Sequence, residues 1–290
     1  MAETPRYTLD VVYPPPGETG SKPRIDIIFV HGLGGDNLKT WSDKESGKQW
    51  ISDPEFLQTW ESDVRVLTLG YNTTNVMLNV NPGRPIIFVT HSLGGLVVKK
   101  AVLLCQDSTR FQDIKNSITG IVFLGTPHNG SDHAAVLSTV HNVVGFFTRE
   151  GPNVITEEMR TYSTTVLEIN ESFMGAPPNK LSLVSFFETK PMMIPSLRKG
   201  VKRELIVIEG SAKLFGDKAL NLAMSCNHVE LSKFASPSDS RFQDLWDQIN
   251  VLVMKGLKET VMVPGMDNVQ FEDRADLLSS PKQDPTPQGQ

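Results

Sequence analysis

Pro85-Ile86-Ile87-Phe88-Val89-Thr90-His91-Ser92-Leu93-Gly94-Gly95 is the stretch on which the fold is read. An apolar run of buried-strand length stops at a serine flanked by small residues, and the helix-capable segment Leu96 to Leu104 follows at once. Strand, sharp turn with serine at the apex, then helix is the layout of a nucleophile elbow. The turn strains the serine's backbone and lifts its hydroxyl clear of the sheet. Gly94 has no Cβ to collide with a neighbouring element. Thr90 occupies the first position of G-x-S-x-G, where glycine is usual, so the match is good but imperfect.

Working outward, strands are expected at Tyr7–Tyr13, Ile25–Val30, Val64–Leu69, Ile86–Val89, Ile118–Leu124, Leu181–Phe187 and Glu204–Ile208. Helices are expected at Pro54–Trp60, along the segment carrying Lys99 and Lys100, and from Ser240 to about Leu257. The last of these places Phe242, Leu245, Trp246, Ile249 and Leu252 or Val253 on one face at helical spacing. Near-continuous apolar strands alternating with helices predict an α/β architecture, a mostly parallel sheet with helices on both faces. Residues 131–179 break the alternation with two expected helices, Asp132–Phe147 and Thr156–Ser172, and read as a lid or cap insertion. The domain is therefore expected over 1–261, with 262–290, rich in Asp, Pro and Gln, as a disordered tail.

Bulk properties narrow the class. A chain of 290 residues with 39% hydrophobic and 21% charged residues can bury a sizeable core. A net charge of −5 opposes a nucleic-acid partner, which needs a concentrated basic face. No run approaches the roughly 18 apolar residues of a membrane span, and Met1 to Arg6 lack the basic-then-apolar pattern of a signal peptide. The two cysteines, Cys105 and Cys226, read as buried thiols and cannot build a metal site. No metal or organic cofactor is expected, and the expected location is cytoplasmic.

A serine hydroxyl needs a base to take its proton, and the base needs an anion to hold its tautomer and charge. On an elbow of this kind the chain order is Ser, then Asp or Glu, then His. Of the six histidines only His228, in Ser225-Cys226-Asn227-His228-Val229-Glu230, lies beyond the last strand and before the closing helix. Glu188 ends the strand Leu181–Phe187 at the carboxyl edge, where open parallel sheets gather their sites. Asp217, in Leu214-Phe215-Gly216-Asp217, is the rival acid, although Gly-Asp is common turn chemistry. Acyl transfer also needs an oxyanion hole of two backbone N–H groups. Leu93 supplies one from the elbow. Leu33, in His31-Gly32-Leu33-Gly34-Gly35, is the expected second.

Together with Gly125-Thr126-Pro127-His128 and Asn227-His228, these motifs resemble the α/β-hydrolase superfamily. More narrowly they are similar to lipase-like serine esterases, typified by serine-active-site-containing proteins and by the hydrolase domains of fungal NACHT-type proteins. The resemblance spans roughly Tyr7 to Val261, and in that group threonine at the first elbow position is familiar. It implies Ser92 as nucleophile, Glu188 as acid and His228 as base, with His31, Gly32, His91 and His128 around the substrate pocket. The expected substrate is a small apolar carboxylic ester, thioester or lactone, and the apolar residues of the insertion suit an acyl or polyketide-like part. Val143, Val144, Phe146 and Phe147 suggest a greasy lid, or else pack into the core. Two other readings stay open: non-hydrolytic condensation or cyclisation at the same site, and a binding or signalling module in which catalysis is incidental.

Overall fold

A computed structural model describes residues 7–15, 23–57, 63–71, 83–128, 139, 142–144, 146, 157–175, 181–196, 200–216 and 219–261. Asp217, the expected tail 262–290 and most of the expected helix Asp132–Phe147 lie outside these residues. Nine strands are found among them: β1 (Tyr7–Tyr13), β2 (Ile25–Val30), β3 (Val64–Tyr71), β4 (Ile86–His91), β5 (Ile118–Leu124), β6 (Ser182–Glu188), β7 (Met192–Ser196), β8 (Gly200–Glu204) and β9 (Ala219–Met224). The helices are α1 (Pro54–Leu57), α2 (Gly94–Asp107), α3 (Gln112–Ser117), α4 (Glu157–Gly175), α5 (Glu209–Ala212) and α6 (Ser240–Val261).

Seven strands form one sheet in the order β1-β3-β2-β4-β5-β6-β9. Only the edge strand β1 is antiparallel. Every residue of β2, β4 and β5 is buried, which is what uninterrupted apolar runs achieve when both faces are covered. Alternation divides them between two cores. Ile25, Ile27, Phe29, Ile87 and Val89 face Phe242, Leu245 and Ile249 of α6, together with Trp41 and Trp50. Ile28, Val30, Ile86, Phe88 and Phe123 face Val98 and Val102 of α2 and Phe173 of α4. At the sheet's other end Asp26 is fully buried but takes Arg65 Nε at 2.9 Å, Arg65 Nη2 at 2.7 Å and Arg84 Nη1 at 2.9 Å. A carboxylate withdrawn from water requires such pairing.

The expected α/β class is the class observed, and the strand order with the serine turn after β4 makes it an α/β-hydrolase fold. One expected strand is corrected. Glu204 closes β8, but Leu205 to Ile208 form no strand. Their apolar side chains, Ile206 and Val207, pack in a third cluster above the sheet instead. The strand that completes the sheet is β9, half-exposed at the edge and interrupted by Asn221, so it lacks the continuous apolar signature of a central strand. Between β6 and β9 the chain also makes an unexpected antiparallel hairpin, β7–β8, separate from the main sheet.

Candidate active site

Ser92 adopts φ +54, the single positive-φ residue other than glycine among the described residues. That conformation is costly for a side chain bearing a Cβ and needs support from its surroundings. Here Ser92 N–H donates to Leu124 O at 2.8 Å, and Thr126 Oγ1 donates to Ser92 O at 2.9 Å. Neighbouring backbone crowds the turn. A Cβ on Gly94 would strike the carbonyl oxygens of Val30 and His31, and one on Gly32 would come within 2.8 Å of Ser92 Cβ. Only glycine admits the two loops to each other at these points.

His228 arrives on the loop after β9, 136 residues along the chain from Ser92, with its Nε2 at 3.0 Å from Ser92 Oγ. The loop has its own capping box. Asn227 Oδ1 accepts from the N–H groups of Val229 (3.1 Å) and Glu230 (3.2 Å), while Glu230 Oε2 accepts from Asn227 N–H at 3.0 Å. Sequence reasoning passed over this signal, Asn227-x-x-Glu230. Beyond it, Trp50 Nε1 donates to Ser232 O at 2.9 Å, anchoring the following turn to the aromatic core.

Glu188 stands at the carboxyl end of β6, with Oε1 at 3.2 Å from His228 Nδ1. This is an ion-pair distance, with an orientation short of a well-aligned hydrogen bond. The same oxygen accepts from Val207 N–H at 2.8 Å. Sequence reasoning missed Val207, because a backbone donor leaves no trace in residue type. Gly125, at φ +62, follows β5, and a Cβ there would lie 2.9 Å from both Cε1 and Nδ1 of His228. The imidazole occupies the space that this glycine leaves open.

Among the described residues, the N–H groups of Leu33 and Leu93 donate to no protein acceptor. The first sits in the Gly-rich loop after β2 and the second at the N-cap of α2. The two loops adjoin: a Cβ on Gly32, the residue before Leu33, would lie 3.4 Å from Leu93 N. Leu93, which follows Ser92, and Phe187, which precedes Glu188, belong to an apolar cluster with Leu96, Val143, Val166, Ile206 and Val207 and the partly buried Leu33, Val144 and Phe146. Ser92 and His228 are 0% exposed and Glu188 is 1% exposed.

The remaining histidines differ in placement. His31 stacks on Tyr71 with centroids 4.6 Å apart, its Nδ1–H donating to Gly32 O at 2.8 Å, while Tyr71 Oη donates to His31 O at 2.6 Å. Burial pushes its pKa down. His91 is buried and donates from Nε2 to the carbonyl oxygen of His228 at 2.9 Å.

His128 belongs to a separate buried network. Ser185 Oγ donates to Ala212 O at 2.8 Å, so it accepts from His128 Nε2–H at 3.2 Å, and His128 Nδ1 accepts from Lys99 Nζ at 2.7 Å. Lys99 also donates to Asn170 Oδ1 at 2.6 Å, tying α2 to α4. Burial without a carboxylate partner holds Lys99 well below the usual lysine range, and burial likewise depresses His128. The sequence signal for this network was a lysine, Lys99, with apolar Leu96 and Val102 three positions to either side on one helix face. Among the described residues no three His, Cys, Asp or Glu side chains gather as a metal site.

No family model matches the chain. By sequence it is similar to the protein SERAC1 of Homo sapiens, at 23% identity over 257 residues covering 76% of this chain and 38% of that protein. SERAC1 of Bos taurus is 24% identical over 257 residues with the same coverage. The chain thus spans about 38% of the length of these curated relatives. Among solved structures it is similar to one from a study of two fungal esterases of Rhizomucor miehei (TM-score 0.47, 10% identity, 87% of this chain and 84% of that one). It is also similar to an esterase of Pyrobaculum calidifontis (TM-score 0.46, 12% identity, 86% of this chain and 85% of that one).

Proposed function

We propose that this chain is a serine hydrolase that cleaves carboxylic esters through an acyl-enzyme. The observation that carries the reading is the convergence of Ser92 Oγ, His228 Nε2 and Glu188 Oε1, at 3.0 Å and 3.2 Å, beside the unengaged amides of Leu33 and Leu93. His228 takes the proton of Ser92 as the hydroxyl oxygen attacks the ester carbonyl. The carbonyl oxygen becomes negative and rests against the N–H groups of Leu33 and Leu93. Glu188, itself held by Val207 N–H, steadies the imidazolium. His228 then gives the proton to the departing alkoxide. Water, deprotonated by His228, attacks the acyl carbon, and breakdown returns the proton to Ser92 and frees the acid.

The apolar cluster that includes Leu93, next to Ser92, supports an acyl group of low polarity as the substrate part nearest the nucleophile. Replacing Ser92 by alanine is expected to lower turnover of a p-nitrophenyl acyl ester by roughly four orders of magnitude or more, with the unfolding midpoint retained. Turnover surviving undiminished in Ser92→Ala would remove this serine from the chemistry. Labelling of the wild type, and not of the variant, by a fluorophosphonate is expected alongside, since only an activated serine reacts fast.

A further inference from the structure

We propose that His91 is a positioning residue for the base, its imidazole N–H holding the backbone of His228 against the strand that carries the nucleophile. The inference rests on the reading of Ser92 and His228 given above. His91 is the last residue of β4 and immediately precedes Ser92, so one short piece of backbone bears both the nucleophile and the peg for its base.

The base loop is tied toward the acid and toward the nucleophile, besides the anchoring of its following turn by Trp50. Toward the acid, the N–H groups of Thr189 (3.2 Å) and Lys190 (2.9 Å) both donate to Cys226 O, which fixes the loop against the end of β6. Toward the nucleophile, the tie is His91 Nε2–H to His228 O at 2.9 Å. The Asn227–Glu230 capping box shapes the loop but does not set its distance from β4. The bond from His91 is the direct tie between the residue before Ser92 and the backbone of His228, whose Nε2 stands 3.0 Å from Ser92 Oγ.

The geometry also requires His91 to carry no charge. The two rings lie 5.0 Å apart, so a cation at His91 would oppose the imidazolium that forms on His228 during proton transfer. Burial supplies the neutral state, with the nearby His228 adding to it, and together they push His91 down to about 3. A neutral imidazole has one N–H, and Nε2 is the nitrogen facing the carbonyl, so Nδ1 is bare. The residue at this position must offer a donor without a charge.

The test compares Ser92→Ala, His91→Leu and His91→Gln, reading kcat and KM on one ester together with the rate of fluorophosphonate labelling. His91→Leu removes the donor and leaves the imidazole of His228 free to drift. A loss of about ten- to a hundred-fold in kcat and labelling rate is expected, with KM little changed, because geometry at the reacting atoms is lost and not substrate affinity. Glutamine keeps an uncharged N–H donor and is expected to recover most of that loss. Full kcat in folded His91→Leu, with Ser92→Ala inactive, overturns the role of His91 alone. A folded His91→Gln as slow as His91→Leu does the same. Full turnover in Ser92→Ala brings down the hydrolase reading itself. If His91→Leu does not fold, ¹⁵N NMR of the wild type decides: His91 is expected to stay neutral and protonated on Nε2 between about pH 5 and 8. A titrating or Nδ1-protonated His91 overturns the proposal.

Discussion

Ser92 and Gly125 show how single backbone conformations make room for the chemistry. Both have φ near +60, one by force and one by freedom: Ser92 at +54 is held by its surroundings, Gly125 at +62 needs no holding. Gly125→Ala adds the cost of a left-handed alanine and sets a methyl 2.9 Å from the ring of His228. The variant is expected to lose about 1–2 kcal/mol of stability and, through displacement of the imidazole, on the order of ten-fold or more in kcat. Denaturant unfolding and steady-state kinetics measure the two separately. Unchanged kcat would mean that the ring has slack on that side. Cys226, two residues before the base, is held by burial at a pKa of about 12, so it stays a thiol at working pH and is expected to resist alkylation until the protein unfolds.

The elements differ in how strongly their patterns announce them. Helix α6 was readable because Phe242, Leu245, Ile249, Leu252 and Val253 recur at helical spacing, and all five are buried against the sheet. Leu245→Ala removes a fully buried side chain from the middle of that face and is expected to cost about 2–5 kcal/mol in urea unfolding. A loss below about 0.5 kcal/mol, the range of surface substitutions, would show that α6 does not carry this core. Strand β9 and the β7–β8 hairpin were not readable. An edge strand needs one partner and tolerates exposure, and a hairpin outside the main sheet has no long apolar run to mark it. The segment 205–208 differs for the opposite reason: Ile206 and Val207 are buried in the apolar cluster with Leu93 and Phe187, not in a sheet.

At the scale of the whole molecule, the buried histidines make stability depend on pH. Burial holds His31, His91 and His128 below the ordinary value of 6.5 in the fold, while the unfolded chain protonates them there. The unfolded state therefore binds more protons as pH falls below 6.5, and stability drops, with a slope of up to about 1.4 kcal/mol per pH unit for each histidine. For His91 that window runs from 6.5 down to about 3. Unfolding free energies measured between about pH 7 and 5 are expected to decline before the carboxylates titrate. A flat profile there would mean that these imidazoles are not withheld from protons. From its residues alone the chain determined the strand–serine–helix turn, the alternation that builds a covered parallel sheet, and the place of His228 in the loop before the closing helix, while Glu188 and Asp217 stayed rivals. These are local patterns, written in apolar spacing and in residue type. The tertiary structure alone decided which backbone donor holds Glu188, which glycine makes room for the imidazole, and that His91 bonds the backbone of His228 to the strand that precedes Ser92. Those contacts join residues up to 137 positions apart, through N–H groups and empty space that every sequence possesses and none displays.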